Sequence, residues 1–242
     1  MRFFRSLIFS SVMISSTVLM SLVLVLAAPL PYHARIRIVR LYPWLNLLVL
    51  KHVCGISWQV RGQENIPAQT CIIFSKHQST WETLALQILF PSMTFVIKRE
   101  LLWIPFFGWG LALLRPVAID RSAGRAAIRQ LVEKGTRRLQ QGIWVTIFPE
   151  GTRVPAGSKG RYRIGGAVLA AESGYPVVPV AHNAGEFWPR GRFLKKPGRV
   201  QVIIGPQIPS NGRKPEEILA DAENWIESAM EEISQAKNGR CQ

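Results

Sequence analysis

Hydrophobic and polar positions divide the chain into two unlike stretches. From Leu7 to Leu30 no charged residue occurs, and Leu, Val, Ile, Met and Phe are mixed with several serines and one threonine. Roughly 24 helical residues at 1.5 Å each reach about 36 Å, enough for a hydrocarbon core of about 30 Å. Arg2 and Arg5 precede the run; Arg35, Arg37 and Arg40 follow it. The pattern predicts an uncleaved membrane helix. Ala27-Ala28 resembles a processing site, but the apolar part of a signal peptide runs only about 7–15 residues. The downstream arginines tilt the orientation toward residues after 35 in the cytoplasm. A second apolar stretch, Leu41–Ile56, is interrupted by Lys51 and His52 and is too short for a standard span. Tyr42, Trp44 and Trp58 suit an interfacial or half-inserted helix, and a core helix packed on the main domain fits as well. Residues 1–56 are thus read as an N-terminal membrane-anchoring region and 57–242 as one folded domain.

Beyond this point the apolar runs shorten and alternate with longer amphipathic ones. Trp58–Arg61, Cys71–Phe74, Thr94–Ile97, Ile143–Phe148, Val177–Ala181 and Arg199–Ile204 read as strands. Helices are predicted from about Thr80 to Leu89, Ser122 to Gln140, Tyr162 to Ser173 and Pro215 to Ser234. Pro215 suits a first helical turn, and Glu216 and Glu217 suit its positive end. Gly135 falls in the middle of one predicted helix, and Leu101–Leu114 is apolar but broken by Pro105, Gly108 and Gly110. Such alternation predicts an α/β layered domain, a mostly parallel or mixed sheet flanked by helices. No repeat or polar linker divides it.

Composition narrows the partners. The 242 residues carry a formal charge of +15 with only 15 acidic side chains, which favours an anionic membrane surface, phosphates or nucleic acid. Nucleic acid is disfavoured, because no base-reading module is recognisable beside a membrane segment. Cys54, Cys71 and Cys241 have no metal-ligand spacing and read as buried or reduced thiols.

Two short stretches carry candidate chemistry. The first is His77-Gln78-Ser79-Thr80-Trp81-Glu82, after the strand Cys71–Phe74. On one continuous helix His77 and Glu82 would lie about 140° apart, so they meet only if His77 precedes the helix. Ser79 with Glu82 three residues on fits a capping box that starts the helix near Thr80. Glu82 can then cap the helix, turn toward His77, or do parts of both. If the pair forms, Glu82 fixes the imidazole tautomer and the other ring nitrogen serves as a base; a structural histidine–acid pair is the alternative.

The second is Phe148-Pro149-Glu150-Gly151-Thr152-Arg153, after the strand Ile143–Phe148. Gly151 permits a tight turn, and Arg153 offers a planar five-donor fork suited to phosphate. Glu150 can orient Arg153 or hold a substrate hydroxyl. Lys98, Arg99 and Arg121 are positioned to converge on the same anion. A solvated turn with a surface salt bridge is the plain alternative. Lys159, Arg161, Arg163, Arg190, Arg192, Lys195, Lys196 and Arg199 extend the basic supply.

Together these residues resemble the glycerolipid acyltransferase family. Its first block is a histidine and an acid separated by four residues, here His77 and Glu82. Its second runs from Lys98-Arg99-Glu100-Leu101 through Pro105-Phe106-Phe107-Gly108 to Ile119-Asp120-Arg121. The third is Phe148–Arg153, and the fourth, a proline in an apolar strand, is Val177-Val178-Pro179-Val180. The family's usual acid in the first block is aspartate, so Glu82 is a departure with a longer reach. The resemblance implies transfer of an acyl group from acyl-CoA or acyl-carrier protein to the 2-hydroxyl of lysophosphatidic acid, giving phosphatidic acid without a cofactor or metal. It implies His77 as general base oriented by Glu82, and Arg153 and Lys98 on the acceptor phosphate, with Arg121 nearby. Glu150 is expected on the acceptor glycerol and Gly151 and Thr152 in the same substrate-binding turn, where backbone N–H groups near Gly151 are candidate oxyanion donors. Leu101–Leu114 either lines an acyl groove or is core. The implied location is the bacterial inner membrane, with the catalytic domain on its cytoplasmic side.

Overall fold

The computed structural model describes residues 1–234, so Cys241 lies outside the described residues. Seven strands form one sheet: β1 (Ile56–Arg61), β2 (Ile72–Ser75), β3 (Met93–Lys98), β4 (Val117–Ile119), β5 (Trp144–Ile147), β6 (Val177–His182) and β7 (Gly198–Ile204). Their order is β1-β7-β6-β2-β5-β3-β4. Only β6 and β7 pair antiparallel; the other neighbours are parallel. The expected mixed, mostly parallel sheet is present. β2 and β5 are buried at every position, as strands covered on both faces must be, so they carry continuous apolar runs instead of alternation.

Among the described residues eight α-helices surround the sheet: α1 (Arg2–Leu26), α2 (Tyr32–Val39), α3 (Leu41–Cys54), α4 (Trp81–Leu89), α5 (Phe107–Leu113), α6 (Arg125–Gln140), α7 (Gly165–Ser173) and α8 (Pro215–Ile233). One face of the sheet packs Ile72, Phe74, Val145 and Ile147 against Leu131, Leu169 and Ile226 of α6, α7 and α8. Gly135, an unfavourable choice inside a helix, marks the close approach of α6 to α7. A Cβ there would stand 2.7 Å from Leu169 Cδ2. The apolar stretch 101–114 splits, because Pro105 and the turn at Phe106 (φ 62°) separate a 3₁₀ segment, Arg99–Trp103, from α5. β4 is a strand the sequence pattern did not predict; it is only three residues long, below the length at which alternation is readable.

α1 is long and apolar enough to cross a membrane, and 17% of its most apolar window is buried by the rest of the protein. It nevertheless lies against the domain along its length. Phe9 is fully buried in the same core as Leu47 and Leu50 of α3 and Trp188, so packing runs across the 56/57 boundary. The serines and threonine scattered through the apolar run make this contact. Ser6 Oγ accepts the Lys195 N–H at 3.0 Å, Ser10 Oγ accepts the Lys195 ammonium at 3.0 Å, and Ser16 Oγ accepts Asn46 Nδ2 at 3.0 Å. Thr17 bonds the Tyr42 hydroxyl at 3.0 Å. Small polar residues on one stripe of an apolar helix are the usual means of docking it closely. The opposite stripe, including Phe4, Leu7, Ile8 and Leu19, is exposed. Trp44, Leu45 and Leu48 of α3 and Trp103 and Trp109 around α5 are exposed apolar side chains as well.

Candidate active site

Strands running the same way deliver their following loops to one edge of a sheet, where open α/β folds carry their sites. Here β2 ends at His77, β5 at Phe148–Arg153, β3 at Lys98 and β4 at Arg121. The parallel pairing β2–β5–β3–β4 therefore assembles on one edge residues that lie far apart in sequence.

His77 sits in the loop before α4, and its Nδ1 is 2.8 Å from Glu82 Oε1. The same carboxylate accepts the N–H of Ser79 at 2.9 and 3.0 Å and of Gln78 at 3.1 Å, while Ser79 Oγ accepts the Trp81 N–H at 3.1 Å. Glu82 thus caps the helix and turns to His77 at once. Burial disfavours its charge, but the His182 and His77 rings and the Ser79 N–H outweigh burial and hold the carboxyl below its ordinary value. An ionised carboxylate only accepts, so Nδ1 carries the proton and Nε2 keeps its lone pair. The His77 ring also stacks on Phe148, centroids 3.9 Å apart and planes within 14°, and Phe148 stacks in turn on Phe95. The ring is held on an edge and on a face. Its side chain remains 15% exposed while Glu82 is fully buried.

The cleft over His77 has a volume of about 480 Å³. Its wall carries His77, Lys98, Arg121, Thr152, Arg153 and Arg190, and no Asp or Glu among the described residues lines it. The same cleft is also lined by the apolar side chains of Phe95, Leu101, Phe107, Leu111 and Leu114 and, from α1, by Met20 and Leu24 together with Thr17 and Ser21. The 101–114 stretch therefore lines the cleft, and the N-terminal helix contributes to its wall. Gly151 turns with φ +68°, and a side chain there would strike Arg163, 2.8 Å from a Cβ. The Arg121 guanidinium donates to the Gly151 carbonyl, and Arg190 donates to Thr152 Oγ1 at 2.9 Å. Arg99 does not join this group; it pairs with Asp120 at 3.0 Å.

Glu150 departs from the expectation. Its carboxylate is not on the cleft wall but buried behind it, bonded to the Lys76 ammonium at 2.7 Å, the His77 N–H at 2.9 Å and the Gly160 N–H at 3.2 Å. These bonds tie the loop together, and Arg153 is not among its partners. Lys76 and His182 are not among the residues the sequence points to, and Phe148 and Arg190 enter there only as the start of the 148–153 run and as part of the wider basic supply. Of the two missed residues, only Lys76 carries a signal, its place beside His77. Among the described residues no three His, Cys, Asp or Glu side chains converge to hold a metal ion.

His182 is buried beside the His77 loop and braces it. Its Nε2–H donates to the Lys76 carbonyl at 2.8 Å, and its Nδ1 accepts the Ala184 N–H at 3.3 Å. Both nitrogens are satisfied in the neutral ring. Burial pushes its pKa below 6.5, against an opposing pull from Glu82. The consequence has a definite sign. Below about pH 6.5 the unfolded chain binds a proton that the folded chain refuses, so stability falls as pH drops, by at most about 1.4 kcal/mol per unit from this group. Thermal melts from pH 7.5 to 5 should show this decline, and a His182→Gln variant, though less stable at pH 7, should show a shallower one.

Comparison with known proteins finds relatives of this chain in sequence and in fold. Residues 57–183 match the family model described as Acyltransferase. The 1-acyl-sn-glycerol-3-phosphate acyltransferase of Pseudomonas aeruginosa is 48% identical over 217 residues, covering 86% of this chain and 83% of that protein. The alpha form of the enzyme of that name from Bos taurus is 34% identical over 189 residues, 77% of this chain and 66% of that protein. In fold, the crystal structure of the 1-acyl-sn-glycerophosphate (LPA) acyltransferase PlsC from Thermotoga maritima superposes with a TM-score of 0.81 at 23% identity, over 97% of both chains. The matched region contains His77, Glu82 and the Phe148–Arg153 turn, and on these grounds the chain belongs to the acyltransferase family.

Proposed function

We propose that this protein transfers an acyl group from an acyl thioester to the 2-hydroxyl of 1-acyl-sn-glycerol 3-phosphate, forming phosphatidic acid. The observation that carries this reading is a single cleft lined by three kinds of group: a histidine bonded to Glu82 through Nδ1, several cations and many apolar side chains. A phosphorylated lipid with a free hydroxyl matches that combination. The names of the relatives point to the same acceptor.

In this reading Arg153 and Lys98 hold the acceptor phosphate, with Arg121 and Arg190 bracing the turn around it. His77 Nε2 takes the proton of the 2-hydroxyl as its oxygen attacks the thioester carbonyl carbon. Glu82 stabilises the imidazolium that forms. The tetrahedral adduct collapses, the C–S bond breaks, and the leaving thiolate recovers the proton from His77. Both substrates are present together and no acyl-enzyme forms. The acceptor supplies the nucleophile, so the site needs no serine or cysteine. The donor in this reading is acyl-CoA or acyl-carrier protein.

The exposed apolar stripe of α1 and the neighbouring tryptophans support seating at a membrane, with the cleft opening toward lipid. Arg35, Arg37 and Arg40 favour the cytoplasmic face of the bacterial inner membrane. The test is direct: purified full-length protein in phospholipid vesicles, given labelled acyl-CoA or acyl-carrier protein with lysophosphatidic acid, glycerol 3-phosphate or lysophosphatidylcholine. Phosphatidic acid from the first acceptor is expected. Silence with both donors, or preference for another acceptor, overturns the reading. Arg153→Ala should raise the KM for lysophosphatidic acid about 10- to 100-fold, the worth of a charge-assisted hydrogen bond, with donor KM little changed. Unaltered acceptor dependence would contradict the phosphate role.

A further inference from the structure

Behind His77 lies a set of buried charges that the reaction steps above do not use. Lys76 is 1% exposed, and its ammonium stands 2.7 Å from Glu150 Oε1 and 2.7 Å from Glu227 Oε1. Glu150 passes the link to the base, since its Oε2 accepts the His77 N–H at 2.9 Å. Glu227 lies on α8 and also accepts the Tyr162 hydroxyl at 2.9 Å. A buried ion pair is weak evidence for stability, since well-packed apolar side chains often serve as well; its location is the informative part. The backbone of residues 76 and 77 is tied at every polar group. Lys76 N–H donates to Val180 at 2.9 Å and Lys76 O accepts from His182 at 2.8 Å. His77 N–H goes to Glu150, and His77 O accepts the Val154 N–H at 2.8 Å. These ties come from the sheet and its loops. The ammonium adds one to α8.

We propose that Lys76, Glu150 and Glu227 form a buried bridge that sets the position of His77, making Glu227 on α8 a positioning residue for acyl transfer. This inference rests on the reading of His77 as general base. A base displaced by a fraction of an ångström to an ångström loses rate steeply while substrate binding is unaffected. Glu227 is absent from the cleft wall, so its removal should act on turnover and not on substrate affinity.

The experiment compares Glu227→Ala, Glu227→Gln and Glu227→Asp with the parent in the vesicle assay, reading kcat and both KM values beside a thermal melt. Glu227→Ala should lower kcat about 10-fold, with each KM within about 2-fold. Glu227→Gln, which keeps an oxygen for Lys76 and Tyr162, should recover most of that rate. Parental kcat in Glu227→Ala, whatever its melting temperature, reduces the bridge to a folding contact and overturns the proposal. Should the alanine variant not fold, Glu227→Asp keeps the charge but shortens the reach. Several-fold loss of kcat at unchanged KM supports positioning, and parental kcat refutes it. His77→Ala in the same series separates the two claims. If it remains active, the general-base reading itself fails; if it is inactive and every Glu227 variant turns over normally, only the bridge fails.

Discussion

Replacing His77 with alanine should lower kcat by about 10²- to 10⁴-fold, the usual contribution of a positioned general base, while folding and membrane association persist. The structural side of this expectation is as specific as the chemical one. Glu82 keeps its bonds from the Ser79 and Gln78 N–H groups when the imidazole is removed, so no buried carboxylate is left bare. The ring is partly exposed and its main packing partner is one face of Phe148, which limits the cost to about 1–2 kcal/mol. Initial rates at saturating donor and acceptor, with a thermal melt of the same preparation, read both quantities. Near-parental turnover would remove His77 from the reaction.

Glu82→Gln is expected to separate helix capping from catalysis. The amide oxygen can still accept the Ser79 and Gln78 N–H groups, so the melt should change by about 1 kcal/mol or less. Turnover should fall far more, by about 10²- to 10⁴-fold. An amide brings no charge to balance the imidazolium. The oxygen that keeps those bonds takes the place of Oε1 and still accepts from Nδ1, so the loss is of charge and not of tautomer. Both KM values should stay close to the parent's. The opposite outcome, with turnover kept and melting temperature collapsed, would leave Glu82 as a helix cap alone.

Glu82 has a definite geometry. It enters from the first turn of α4 and reaches both the backbone N–H groups of the preceding loop and the imidazole. One carboxylate serves as cap and partner together. Sequence spacing alone left those two roles open, since each is compatible with a serine and a glutamate three apart.

Glu150 shows the limit in the other direction. Its place in a conspicuous turn, three residues from Arg153, suggested a ligand contact, yet the side chain runs inward to Lys76. Local sequence describes which residues share a turn and not which side of it each faces. That is decided by what lies beneath, here a lysine from another strand end and a glutamate from α8. The N-terminal run is similar. Its length and lack of charge were plain, but the meaning of its serines was not, because their partners Lys195, Asn46 and Tyr42 come from distant parts of the chain.

The sequence by itself determined what short-range physics can settle. It marked the apolar helix, the buried strands β2 and β5, the capped start of α4, the two motifs and their excess of cations. These depend on periodicity, turn chemistry and side-chain type within a few residues. The tertiary structure alone decided strand order, the joining of four strand ends into one cleft, the use of α1 in the cleft wall and the inward turn of Glu150. Each of these depends on contacts between segments tens of residues apart, and the energy that selects them exists only once the sheet has brought those segments together.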